Sequence, residues 1–231
     1  MRLLAFDTST QWLSVACGKG DAWATRAEMA GQAHSERLLP LIDAVLGEAG
    51  WSLADLDAIA FGAGPGSFTG VRIACGVAQG LALGADRPLI AVSTLEALAQ
   101  AAWRIHGAMR VFACLDARMR EVYVAGYERA GDRWETRLAP AVLAPAAVML
   151  PEDAGPWFAA GDGFLAYPEL ASALHLSASD ATIVPDARDI AALALPRLVA
   201  GDAVDAAHAL PLYVRHRVAL TSAERQAGQR L

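Results

Sequence analysis

The sequence contains 231 residues, of which 55% are hydrophobic and 19% charged, with a formal net charge of −6. A chain of this size and composition can bury a core without disulfides or metals, which excludes the intrinsically disordered class. The negative charge and the single lysine, Lys19, argue against direct binding of a phosphate backbone, which normally depends on clustered Lys and Arg.

The cysteines and the apolar segments indicate where the protein works. The three cysteines are far apart and form no Cys-x-x-Cys pair, which argues against a disulfide framework and a zinc ribbon. The first apolar run, residues 3–6, ends at Asp7 and is too short for a signal peptide. The longest apolar stretch, residues 138–150, is shorter than the roughly 18 residues of a membrane span. We therefore predict a cytoplasmic protein that does not enter a membrane.

An internal repeat organises the chain. Residues 3–7 and 111–116 are both apolar strand candidates that end in a carboxylate. After each of them the sequence predicts a second strand, a turn and a Trp-containing third strand. These further strands are expected at 13–17 and 22–27 in the first copy and at 122–127 and 134–138 in the second. The repeat predicts two lobes, residues 1–104 and 105–231, each with a hairpin-led sheet, and the final helix of the second lobe is a candidate to pack back on the first lobe.

The segments outside the hairpins alternate between helix and strand. Apolar residues at spacings of three and four between Leu38 and Leu46 predict an amphipathic helix, with Pro40 in its first turn. The other predicted elements are strands at 58–61, 89–92 and 157–160 and helices at 71–83, 94–103 and 187–200.

Duplicated sheets led by a hairpin and an Asp resemble the ASKHA superfamily of actin, Hsp70 proteins and sugar kinases. The resemblance implies an α/β fold of two lobes, with duplicated mixed sheets flanked by helices. It also implies that the hairpin turns at Asp7-Thr8-Ser9-Thr10 and at Asp116, with a glycine turn at Gly161 and Gly163, descend from a nucleotide site.

Four strings are closer to one branch of that superfamily. They are Asp7-Thr8-Ser9-Thr10, His34-Ser35-Glu36, the glycine-rich residues 64–72 and the terminal Pro211-Leu212-Tyr213-Val214-Arg215. Together they resemble the TsaB family, the non-catalytic paralogues of the threonylcarbamoyltransferase TsaD, and the resemblance covers nearly the whole chain.

The ancestral phosphate turns are degenerate in this sequence. The first offers hydroxyl and backbone N–H groups suited to phosphate. The second reads Asp116-Ala117-Arg118-Met119, with bulky side chains where close approach of a phosphate calls for small residues. We therefore predict that no cofactor is tightly bound and that the isolated chain binds ATP or ADP weakly or not at all. Arg118 could instead attract an anion as a point charge.

Neither the glycine loop nor His34 predicts catalysis. Residues 62–70 contain four glycines and a proline but no lysine, so they are not a Walker A loop, and we expect a tight strand-to-helix turn that presents Phe68. The resemblance implies a His-x-x-x-His metal pair in the catalytic relatives, whereas the fourth residue after His34 is Leu38. We predict no bound metal and no catalytic residue.

Two helices are expected to form a docking surface. Gly76, Gly80 and Gly84 make one stripe, and each costs about 1 kcal/mol against alanine, so a neighbouring backbone should approach there. The neighbour could be the lobe's own sheet or a helix of another chain. The interface candidates, which are expected to be exposed, are His34, Glu36, Arg37, Leu38, Leu41, Ile42, Val45, Phe68, Arg72, Cys75 and Gln79.

The resemblance implies a scaffold or activator. It would bind TsaD through these helices, be joined by the ATPase TsaE, and support threonylcarbamoylation of the adenosine 3′ to the anticodon in tRNAs that read codons starting with adenine. Alone, the chain is expected to form a homodimer. The nearest approach to a basic patch, Arg215 with His216, Arg217, Arg225 and Arg230, is more typical of a solvated helix end, so tRNA is expected to be contacted only indirectly. The alternative is an active kinase-like enzyme or a metallopeptidase (glycoprotease).

Overall fold

The computed structural model describes residues 1–151, 155–176 and 178–215, and the predicted basic residues from His216 onward lie outside them. The first lobe is built on a five-stranded sheet in the order β3-β2-β1-β4-β5. Its strands are β1 (Leu3–Asp7), β2 (Trp12–Lys19), β3 (Ala22–Met29), β4 (Ala58–Gly64) and β5 (Leu89–Ser93). The hairpin strands pair antiparallel, and β4 and β5 continue the sheet in parallel.

Helices cover both faces of this sheet. One face carries α1 (His34–Ala49) and α2 (Phe68–Ala85), whose buried side chains share a core with β1, β2 and β4. The other face carries α6 (Ala187–Ala200), which comes from the second half of the chain. Strands buried on both faces account for the nearly continuous apolar sequences of β1 and β4.

The second lobe repeats the arrangement, with strand order β10-β9-β6-β7-β8. Its strands are β6 (Arg110–Asp116), β7 (Val122–Ala130), β8 (Arg133–Leu143), β9 (Phe158–Ala160) and β10 (Ala178–Asp180), and its short helices are α4 (Gly163–Ala166) and α5 (Glu169–Ala173). The predicted duplication of a hairpin-led mixed sheet flanked by helices is confirmed.

Helix α3 (Thr94–His106) joins the lobes and is packed between them. It is held to α6 by two ion pairs. The Arg104 guanidinium donates to both carboxylate oxygens of Asp189, at 2.9 and 2.6 Å, and the Asp189 side chain is only 1% exposed. Arg197 donates to one carboxylate oxygen of Glu96 at 2.5 Å. Helix α6 is thereby held to the helix that joins the lobes.

One local prediction is wrong. Pro40 lies in the second turn of α1 and not in the first, because the helix begins six residues earlier, at His34. Pro40 is exposed, so the Glu36 carbonyl that loses its intrahelical hydrogen bond there can be hydrated.

Candidate partner-binding surface and interlobe cleft

A cleft of about 860 Å³ lies between the lobes. The first lobe lines it with Thr10, with the glycine loop and with Phe68. The second lobe contributes Asp116 and Arg118, and residues 212–215 line it as well. The two hairpin turns predicted from the repeat therefore do meet at one cleft.

The first turn is occupied by the protein's own glycine loop. The Thr8 hydroxyl donates to the Gly70 carbonyl at 2.7 Å, and the Ser67 N–H donates to the Ser9 carbonyl at 2.7 Å. A Cβ on Gly70 would lie 1.9 Å from the Thr8 carbonyl oxygen, so this close approach requires glycine. Thr8 and Ser9 are buried, and their polar groups are used internally.

Asp7 lies beneath this turn and is also buried. Its Oδ1 accepts hydrogen bonds from the N–H and the hydroxyl of Ser9, at 2.9 and 2.8 Å, whereas its Oδ2 has no partner. Burial raises the pKa of Asp7 to about 6, and the two bonds from Ser9 oppose the rise. A Cβ on Gly62 would lie 1.8 Å from Oδ2, so the carboxyl fits only against glycine.

The second turn has an unusual backbone. Arg118, Met119 and Arg120 have φ angles of 58°, 55° and 59°, a left-handed conformation that is costly for such side chains. The Arg118 side chain folds back onto Asp116 at 3.0 Å, so its charge is partly neutralised. The predicted attraction of an anion by Arg118 has to compete with this ion pair.

The glycines of the second lobe serve packing. A Cβ on Gly161 would lie 2.3 Å from the Cys114 carbonyl oxygen, and one on Gly163 would lie 2.3 Å from the Cys114 sulfur. Both glycines therefore let the segment after β9 lie directly on β6. Asp162 between them accepts a hydrogen bond from the Asp116 N–H at 3.1 Å, which links the glycine turn to the second hairpin turn.

The predicted exposure of the α1 stripe is wrong. Leu38, Ile42 and Val45 are buried in the core of the first lobe, where they pack on the lobe's own sheet. His34 is buried too, with its Nε2 3.3 Å from the Trp12 carbonyl oxygen. None of these side chains can contact a partner without unfolding, because the apolar stripe of α1 is the side that faces the sheet.

The other candidates on α1 differ in exposure. Glu36 and Arg37 are exposed, and Leu41 is half-buried. Arg37 is bound at 2.7 and 2.9 Å by the two carboxylate oxygens of Glu28 on β3. Within residues 1–151, 155–176 and 178–215, no three His, Cys, Asp or Glu side chains gather as ligands of a metal ion would.

Among the described residues, none lies against the glycine stripe on the outer face of α2. Gly76, Gly80 and Gly84 are exposed, and a Cβ on any of them would meet nothing within 4 Å. Leu83 on the same helix is 77% exposed. By length and composition α2 is apolar enough to cross a membrane, yet only 33% of it is buried in the protein. The stripe therefore does not pack against the lobe's own sheet.

Phe68, the first residue of α2, belongs to an exposed stack at the edge of the cleft. The Arg72 guanidinium lies 3.3 Å from the centre of the Phe68 ring and 5.0 Å from that of Tyr213. Phe68 is 53% and Tyr213 51% exposed. Sequence reasoning missed Tyr213, although the string that contains it carried the family resemblance.

The last two interface candidates contact the protein's own chain. Cys75 is buried, and both its thiol and the Gln79 amide donate to the Ala209 carbonyl, at 3.5 and 3.0 Å. The predicted exposure of Cys75 is therefore wrong, since residues that follow α6 cover this side of α2.

Comparisons with known proteins agree with this geometry. The family model described as "TsaD: tRNA N6-adenosine threonylcarbamoyltransferase" matches residues 26–227. The protein named "tRNA threonylcarbamoyladenosine biosynthesis protein TsaB" of Escherichia coli is 43% identical over 223 residues, 95% of this chain and 96% of the relative. Its namesake in Haemophilus influenzae is 38% identical over 226 residues, 94% of this chain and 95% of the relative. The solved structure "YeaZ from Pseudomonas aeruginosa" superposes with a TM-score of 0.87 at 45% identity, covering 92% of this chain and 99% of that one. With this agreement over nearly its whole length, the chain belongs to the TsaB family.

Proposed function

We propose that this protein acts in the formation of threonylcarbamoyladenosine on tRNA as a non-catalytic scaffold that binds TsaD. The names of its relatives support the pathway. Transfer to the adenosine 3′ to the anticodon, in tRNAs that read codons starting with adenine, would be the work of TsaD, and TsaE would join the pair.

The observation that carries this proposal is the bare outer face of α2. Three glycines at intervals of one helical turn lower helix stability, and no residue that the structure describes packs against them. Such a stripe is suited to the close approach of a second helix, since no side chain holds the backbones apart. The exposed Leu83 and Phe68 add apolar surface to the same helix. A like surface on a paralogue of the same fold is the natural occupant, and a second copy of this chain could bind there when TsaD is absent.

The state of the cleft supports a role without catalysis. In the first turn, the Thr8 hydroxyl and the Ser9 carbonyl are hydrogen-bonded to the glycine loop, and Asp7 lies buried beneath the turn. A nucleotide that used this turn would have to displace bonds that the protein already makes. The net charge of −6 also leaves the tRNA phosphates to be bound by a partner.

Coexpression of the tagged chain with TsaD from the same genome tests the docking face. We expect the parent to copurify TsaD and Gly80→Arg to lose it, because a long charged side chain would separate the helices. The matched control is Ala192→Arg at an exposed position of α6, on the opposite face of the sheet. Retention of TsaD by Gly80→Arg, or equal loss in both variants, would contradict the proposal. The purified chain alone should transfer no threonylcarbamoyl group, and turnover by it would make the protein an enzyme.

A further inference from the structure

Residues 209–215, which we call the strap, cross from the first lobe to the second. They follow α6 and are the last described residues of the chain. Four of them, 212–215, line the interlobe cleft, whereas none of the residues of α3 does. The strap thus joins the lobes along the cleft itself, in addition to α3 and to the passage of the chain from β10 to α6.

One end of the strap is anchored on the first lobe. Ala209 is buried in the core cluster of that lobe, and its carbonyl accepts hydrogen bonds from Gln79 and Cys75 on α2. Further along, the Leu212 N–H donates to the Ala63 carbonyl on β4 at 2.7 Å. Since these contacts use backbone groups of the strap, they fix its path along the lobe whatever the side chains are.

The other end is anchored on the second lobe. Val214 packs against the core cluster of that lobe. The Arg215 guanidinium donates to the Ala117 carbonyl at 3.0 Å and to the Glu121 carboxylate at 2.5 Å. Its side chain is only 12% exposed, and it lies over the Tyr123 ring at 5.7 Å. The arginine of this charge-assisted pair is largely buried, whereas the Glu121 side chain is 37% exposed, and we expect such a pair to be stronger than one between two fully exposed side chains.

Arg215 holds both sides of the left-handed second turn. Ala117 precedes the three left-handed residues and Glu121 follows them, so one guanidinium spans the turn. The same turn faces the glycine loop across the cleft. The strap therefore connects the first lobe to the hairpin turn of the second lobe that lines the cleft.

We propose that the strap is a clasp that holds the two lobes closed in the absence of any ligand. Arg215 attaches the strap to the second lobe, and the backbone hydrogen bonds of Ala209 and Leu212 attach it to the first lobe. The clasp involves no partner protein, so a test of it does not depend on whether the chain binds TsaD.

Distances between spin labels on the two lobes test the clasp in the full-length chain. The labels are placed through Gln32→Cys and Leu165→Cys, two exposed positions on opposite walls of the cleft. The three native cysteines are buried, so the labels attach at the new sites. We expect a narrow distance distribution in the parent. Adding Arg215→Ala should broaden it and shift it to longer distances, with the open population about tenfold higher or more, because a charged hydrogen-bonded pair is lost.

Two further variants keep the result unambiguous. Glu121→Gln removes only the charge of the acceptor and should shift the distribution in the same direction by a smaller amount. Arg188→Ala removes an exposed arginine from α6 and should leave it unchanged. A distribution in Arg215→Ala that superposes on that of the parent, in protein with native circular dichroism, would overturn the clasp. Should Arg215→Ala not fold, an unchanged distribution in Glu121→Gln would overturn it equally.

Discussion

Replacing two glycines on α2 by alanine should stabilise the isolated chain and weaken its complexes. Gly76 and Gly80 lie inside an 18-residue helix, and a Cβ on either meets nothing within 4 Å. Each Gly→Ala change in such a position gains about 0.8–1 kcal/mol. The double variant should therefore gain about 2 kcal/mol, which for a domain of this size raises the Tm by about 4–8 °C. In a close helix contact the same two methyl groups overpack, at a cost of about 1–3 kcal/mol.

Urea unfolding measures the gain, at concentrations where size-exclusion chromatography shows a monomer. Titrating TsaD with each variant, and measuring self-association of each variant, gives the cost of overpacking. We expect the Kd of both complexes to increase roughly tenfold or more. Gly70→Ala is the control in the same helix. It should destabilise strongly, because its Cβ would lie 1.9 Å from the Thr8 carbonyl oxygen. A lower free energy of unfolding in the monomeric double variant would show that the glycine stripe is packed against something in the monomer. Unchanged Kd values would show that the stripe is not used in docking.

Three other outcomes can be measured on the isolated chain. Because the pKa of Asp7 is raised by burial to about 6, from about 3.9 in the unfolded chain, the folded state holds this proton more tightly. The free energy of unfolding should therefore fall as the pH rises from about 4 to about 6, by roughly 2 kcal/mol, and Asp7→Asn should lack that fall in urea titrations at the two pH values. Arg104→Met leaves the buried Asp189 carboxylate without its cation and should cost about 3 kcal/mol in urea unfolding, much of which is recovered when Asp189→Leu is added. Isothermal titration with ATP should show no micromolar binding, and a clear micromolar isotherm would show that the first turn can release its internal bonds.

The sequence predicted the repeat because strand patterns are local. Alternation and β-branched residues define β1 and β6, and each ends in a carboxylate at a position that can be read directly. The apolar stripe of α1 was equally legible as a helix. Such a stripe shows which side of a helix is buried, but it does not show what the helix packs against. Leu38 and Ile42 pack against the lobe's own sheet. The glycine stripe of α2 left two readings open, which only tertiary structure could separate.

Contacts between residues far apart in the sequence could not be predicted from the sequence alone. The bond from Gln79 to Ala209 joins residues 130 positions apart, and that from Arg215 to Glu121 joins residues 94 apart. The strap has no hydrophobic period that would identify it. The left-handed backbone at Arg118 and Met119 opposes the preference of those residues, so it is imposed by closure of the hairpin and by the contacts around it.

The position of α6 constrains how the protein is made. Leu3 and Ile90 belong to the first half of the chain, but they are covered by Ile190 and Ala194, which leave the ribosome much later. Until α6 has been synthesised, one apolar face of the first sheet is exposed to solvent or bound by a chaperone. A fragment that ends after α3 would carry the same open face permanently, so residues 1–106 expressed alone should aggregate. The first lobe therefore completes its core only after α6 has been synthesised.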